Sequence, residues 1–128
     1  MTKNLFLDDI RIPSTVKTYM PELGGDYFDA KWTIVRNYGE FVGHIETNGL
    51  PNMISFDHDL ADVGYDSETY TETFTYQEKT GFDCAKFLVD YCIDNNLQVP
   101  NFVVHSQNPV GNKNIEGLLN NFKKFQEK

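Results

Sequence analysis

The sequence predicts a three-layer α/β domain on four parallel strands in the order 2-1-3-4. Three observations predict it. Short, largely apolar runs occur at Leu5-Phe6-Leu7, Met53-Ile54-Ser55-Phe56 and Phe102-Val103-Val104, the pattern of strands buried on both faces. Strand-like runs alternate with segments of helical periodicity, which implies right-handed crossovers and a parallel sheet. Each apolar run leads into a polar cluster: Asp8-Asp9-Ile10-Arg11, Asp57-His58-Asp59 and His105-Ser106-Gln107-Asn108-Pro109. Adjacent strands about 4.8 Å apart would gather these clusters on one edge, where open α/β sheets bind ligands.

The elements follow in order. Strand one is placed at Asn4 to Leu7. Ile12 to Lys31 carries Pro13, Pro21 and Gly24-Gly25, so any helix there is short and irregular. Lys31 to Arg36 reads as strand two. Tyr38, Phe41, Val42 and Ile45 have the i, i+3, i+4, i+7 spacing of an amphipathic helix, which stops near Asn48-Gly49. Met53 to Phe56 is strand three. Thr80-Gly81-Phe82-Asp83 resembles a capping box, and Phe82, Ala85, Leu88, Val89 and Cys92 give the helix behind it an apolar face, ending at Asn95-Asn96. Phe102 to Val104 is strand four. Ile115, Leu118, Leu119, Phe122 and Phe125 form a last helix, with Lys123 and Lys124 near its C-terminus, where the dipole favours cations.

Residues 60–79 break the pattern. Asp62, Asp66, Glu68, Glu72 and Glu78 are interspersed with Tyr65, Tyr70, Phe74 and Tyr76. Threonines alternate with acidic and aromatic residues from Tyr70 to Tyr76, which favours a hairpin or extended lid over the adjacent Asp57-His58-Asp59 cluster; a solvated loop is the competing reading. No repeat or linker divides the chain, so 1–128 reads as one domain.

Composition limits the function. The formal charge is −8 over 128 residues, which repels a phosphate backbone and argues against bulk nucleic-acid binding. No 18-residue apolar run exists and the first residues lack a signal-peptide core, so no membrane partner is expected and the expected location is cytoplasmic. Cys84 and Cys92 lie eight positions apart on one helix, about 12 Å along its axis. That is too far for a disulfide, and both read as core thiols.

Four carboxylates on one edge point to a cation or phosphate site. Asp57 with Asp8 or Asp9 could form an oxygen-rich site for Mg²⁺ or Mn²⁺; otherwise Asp9 caps a turn and Asp8 is solvated. Arg11 either clamps a phosphate oxygen or pairs with Asp9 or Asp59. His58, between two carboxylates, should have a raised pKa suited to protonating a leaving group. His105 is a second acid–base candidate, and either histidine could take Zn²⁺. Asp59 flanks His58 as a third catalytic candidate. Ser106 is not a convincing nucleophile, because nothing arranges an Asp-His relay around it. Asn108 to Asn112, including Gly111, either offers backbone N–H groups to a phosphate or is an ordinary turn. Tyr70 and Phe74 are candidates for stacking on a base. His44 reads as a surface residue.

Taken together, LFLDDIRIP, ISFDHDL, TGFDCAKFL and VVHSQNPVG, in this order, resemble the signature of the cyclic-phosphate-processing receiver-like domains. The resemblance runs from Leu5 to the last helix. It implies a receiver-like (flavodoxin-like) fold and processing of cyclic phosphates. Carried over by position, it implicates Asp8, Asp9 and Arg11, then Asp57, His58 and Asp59, then His105, Ser106 and Asn108. The long 13–31 connection and the 61–79 insert depart from the pattern. The expected function is a metal-dependent phosphoesterase acting on a cyclic nucleotide or 2′,3′-cyclic phosphate. Two alternatives stand beside it: a non-catalytic binder that sequesters such a ligand, and a phosphoacceptor signalling domain.

Overall fold

A computed structural model describes residues 4–60 and 80–127. The strands are β1 (Asn4–Leu7), β2 (Trp32–Val35), β3 (Met53–Phe56) and β4 (Asn101–Val104). They form one parallel sheet in the order β2-β1-β3-β4. The helices are α1 (Pro13–Val16), α2 (Gly24–Phe28), α3 (Tyr38–Asn48), α4 (Gly81–Asn95) and α5 (Pro109–Gln126), with a 3-10 turn at Pro21–Leu23. This is the expected receiver-like α/β architecture.

The strand order explains where the helices lie. The step from β1 to β2 runs one way across the sheet, and the steps from β2 to β3 and β4 run the other way. Right-handed crossovers must therefore leave on opposite faces. Leu5, Leu7, Ile54, Phe56 and Val104 accordingly share a core with Phe41 and Ile45 of α3, Cys84 and Leu88 of α4, and Ile115 and Leu119 of α5. Phe6 packs on the other face with Val16 and Tyr27, edged by Trp32, Ile34 and Val103. That face is covered by short pieces because Pro13 and Pro21 each open a new turn. The chain changes direction between β1 and β3, so their carboxyl ends flank the switch point at which such sheets bind ligands.

Local chemistry sets the boundaries. β1 is buried along its whole length and β4, at an edge, only at its end. α3 is capped by Asn37, whose side chain accepts from the Glu40 N–H, and stops at Gly49, φ 83°, a value that favours glycine. The Thr80–Asp83 capping box is formed in both directions at the start of α4. Asn108 caps α5 by accepting from the Gly111 N–H. Cys84 and Cys92 are both buried free thiols, and burial pushes Cys92 up to about 11. Among the described residues, no helix is long and apolar enough to cross a membrane.

Candidate functional site

The switch point brings Asp8 and Asp57 together. Asp8 follows β1 and is fully buried, and Asp57 follows β3 and is 3% exposed. The ladder continues one residue past each strand, with the Asp57 N–H donating to Leu7 and the His105 N–H to Phe56. Asp8, Asp57 and His105 each offer a ligand atom, all within 4.8 Å of one another, so this cluster could hold a metal ion.

Asp8 does not lie solvated. Its Oδ1 accepts from the Ile10 and Arg11 N–H groups at 3.0 and 2.8 Å. Its Oδ2 faces His105 Nε2 at 2.9 Å and an Arg11 guanidinium nitrogen at 3.2 Å. It is therefore Asp8, the buried member of the pair, that closes the turn after β1. Arg11 meets Asp8 and Asp57, two carboxylates that the sequence reading did not give it as partners. The same guanidinium nitrogen lies 3.8 Å from Asp57 Oδ1, and its neighbour donates to Gln107 at 3.0 Å. Arg11 thus stands between the two buried carboxylates, over the Tyr19 ring at 5.4 Å. Arg36 fixes the loop from behind, donating to the carbonyls of Asp8 and Arg11.

The two carboxyls are driven apart in acidity. For Asp8, burial alone raises the pKa, but the His105 hydrogen bond and the Arg11 and Ile10 N–H donors outweigh it and hold the group well below the usual range. Asp57 is pushed up to about 7, by burial first and then by the charge on Asp8, which Arg11 only partly offsets. Two like charges this close do not readily ionise together.

His105 reaches the edge but not the solvent. It is fully buried, its ring stacked on Phe6 with centroids 4.5 Å apart. Both nitrogens are engaged, Nε2 with Asp8 and Nδ1 with Ser55 Oγ at 2.7 Å. Burial lowers its pKa, against the pull of Asp8. The cause is strand parity. Val104 faces the α3–α5 core, so His105 turns to the opposite face, where Phe6 and Ser55 point. His105 therefore meets the edge through Asp8, its Nε2 turned to that carboxylate.

His58 Nδ1 lies 2.9 Å from Asp59 Oδ1. The Asn108 amide donates to both Asp59 oxygens at 3.3 Å. The His58 ring presses on α5 at Gly111, where a Cβ would overlap it. Gly111 is thus a close-packing position, and its N–H is taken by Asn108. Pro109 has no N–H and the Asn112 N–H donates to the Asn108 carbonyl, so these groups at the start of α5 serve its cap. Gly81 has a similar duty: its N–H donates to His58, and a Cβ there would strike the Asp57 carbonyl.

A cleft of about 220 Å³ opens here, lined by Asp9, Arg11, Asp57, Asp59, Ser106 and Asn108 among others. Ser106 accepts from the Asn108 N–H at 3.0 Å. His58, His105 and Gly111 stand outside its lining. His44 lies on α3, beside Asn48. Tyr65, Tyr70, Phe74 and Tyr76 lie outside the described residues. Sequence reasoning missed Tyr27, Ser55, Tyr19 and Gln107 as site partners. Ser55 carried a signal, being the one polar residue inside an apolar strand; Tyr27, in the irregular connection, carried none.

A 2-1-3-4 parallel sheet with its acidic pair on the ends of β1 and β3 defines a receiver-like α/β domain. Residues 3–121 match the family described as the cyclic-phosphate processing receiver domain, and the chain belongs to that family. No curated protein matches the sequence.

Proposed function

We propose that this edge is the active site of a metal-dependent phosphoesterase that opens a cyclic phosphate, on a nucleotide or another small molecule. The observation that carries it is the buried Asp8–Asp57 pair bridged by Arg11, with Asp57 and Arg11 lining a polar cleft. A cation site fits these residues: the donor atoms converge, oxygen donors suit Mg²⁺ or Mn²⁺, and Asp57, pushed up to about 7, lacks sufficient positive charge nearby. Asp8 and Asp57 would hold the ion directly, with His105 orienting Asp8 from behind. A bound divalent ion supplies polarisation of the phosphoryl oxygen and a more acidic water.

The chain's own groups divide the remaining work. Arg11 turns its guanidinium from the carboxylates to the phosphate oxygens, where two parallel N–H donors fit best. Asn108 and Ser106 border the same space. The cleft is smaller than the ~300–1,000 Å³ usual for drug-sized ligands, so it takes the phosphate and part of the ring. Asp59 lines it and His58 stands behind Asp59 at hydrogen-bond distance. A proton for the departing oxygen passes between His58 and the cleft through Asp59.

One observation favours the non-catalytic reading: neither histidine lines the cleft. Incubating the protein with 2′,3′- and 3′,5′-cyclic nucleotides, with and without Mn²⁺, separates the two. Ring-opened monoester supports the esterase. Ligand retained by the protein and recovered intact supports sequestration.

A further inference from the structure

A row of polar groups crosses the otherwise apolar face of the core and ends at the site. Tyr27 on α2 places its hydroxyl 2.7 Å from Ser55 Oγ on β3. Ser55 Oγ lies 2.7 Å from His105 Nδ1 after β4. His105 Nε2 lies 2.9 Å from Asp8 Oδ2 after β1. Ser55, His105 and Asp8 are each fully buried, and Tyr27 is 3% exposed. From these contacts we propose that Ser55 and Tyr27 are positioning residues, locking the His105 ring so that its Nε2–H holds Asp8 in the orientation that a cation needs. This rests on the proposed function, in which Asp8 is a direct ligand.

The direction of each hydrogen bond supports the assignment. The Asp8 carboxylate can only accept, so Nε2 carries the hydrogen. A neutral imidazole then accepts at Nδ1, so the Ser55 hydroxyl donates there and its oxygen accepts from the Tyr27 phenol. Every member has a partner, which a buried polar row requires. The ring cannot flip without breaking two bonds, and stacking on Phe6 fixes its plane. With Oδ1 held by two backbone N–H groups and Oδ2 by His105, Asp8 has one orientation available. Packing alone does not call for this arrangement. An alanine or valine at position 55 would serve an apolar face without a desolvated hydroxyl.

Two readouts test it on the whole chain. Side-chain ¹⁵N–¹H NMR reports which His105 nitrogen carries the hydrogen, with His44 as an internal reference. Calorimetry with Mn²⁺ alone reports the metal affinity. The wild type is expected to show a single Nε2–H form. Ser55→Ala is expected to keep the Nε2–H that Asp8 requires, to shift and broaden the His105 Nδ1 resonance as its partner is lost, and to bind Mn²⁺ about tenfold more weakly, the range seen for groups that orient a metal ligand. Tyr27→Phe removes one oxygen only and serves if Ser55→Ala does not fold; it is expected to shift the His105 Nδ1 resonance and weaken Mn²⁺ in the same direction. Unchanged His105 resonances and unchanged Mn²⁺ affinity in a folded variant overturn the proposal. A wild type that binds no Mn²⁺ counts against the proposed function instead, and the NMR arm then decides the positioning claim by itself.

Discussion

Replacing Asp57 with asparagine should make the metal-free protein more stable, and only at neutral pH. Asp57 is pushed up to about 7 in the fold against the usual 3.8, by burial first and then by Asp8. The sign follows from that order. Below about pH 4 the carboxyl is protonated in both folded and unfolded chains, and it carries no penalty. Between about pH 4 and 7 the unfolded chain releases this proton while the folded one keeps it, so stability falls by about 1.4 kcal/mol per pH unit. Above about pH 7 the loss levels off near 4 kcal/mol. That is a large part of the 5–15 kcal/mol typical of a domain. Asparagine cannot ionise, and its Oδ1 can still accept the His58 N–H that Asp57 accepts at 2.9 Å. Urea unfolding in EDTA from pH 4 to 8, followed by circular dichroism, should show Asp57→Asn level with wild type at the acid end. At pH 8 it should lead by up to about 4 kcal/mol. Excess Mn²⁺ should remove that lead, because it stabilises only the protein that binds it. A difference that does not vary with pH would refute the account of Asp57.

Three other substitutions address separate parts of the site. Arg11→Met should leave Mn²⁺ affinity equal or higher, since it removes a cation lying between the two carboxylates. It should also weaken phosphate-ligand binding by about 1.5–3 kcal/mol; parallel losses in both calorimetric titrations would contradict the two-role reading. Gly111→Ala places a methyl in the His58 ring and should cost about 1–3 kcal/mol, with a displaced His58 resonance; an unchanged thermal midpoint would show that the helix yields instead. Thr80→Ala removes the capping box of α4 and should cost about 1 kcal/mol in urea unfolding, with cleft chemistry retained at temperatures well below the midpoint.

Much of the fold could be read directly from residue order. β1 and β3 are central strands, so burial on both faces forces unbroken runs, and Asn4–Leu7 and Met53–Phe56 are where the sequence places them. The start of α4 is explicit because Thr80 and Asp83 satisfy one another's backbone donors. At the edge strand β2, Lys31 and Arg36 fall outside the strand, since an edge tolerates charge and blurs the boundary. The 13–31 connection resisted detail because proline and glycine mark where helices break, not how the pieces pack. For the site, proximity was legible and orientation was not. Asp8 and Asp57 share an edge because their strands are neighbours. That His105 turns inward follows from alternation with Val104, and from Ser55 waiting on the same face. The histidine by itself does not show this. Arg11 could not be assigned from sequence because the edge carries four carboxylates, of which it meets Asp8 and Asp57.

The claim that this edge opens a cyclic phosphate is tested most directly by ³¹P NMR with Mg²⁺, which leaves the lines sharp where Mn²⁺ would broaden them. A 2′,3′- or 3′,5′-cyclic nucleotide, incubated with the wild type, should lose its cyclic resonance and gain that of a monoester, and Asp57→Asn should show neither change. A cyclic resonance that shifts on binding but never yields monoester, with Mg²⁺ present throughout, would contradict the esterase and leave a sequestering domain.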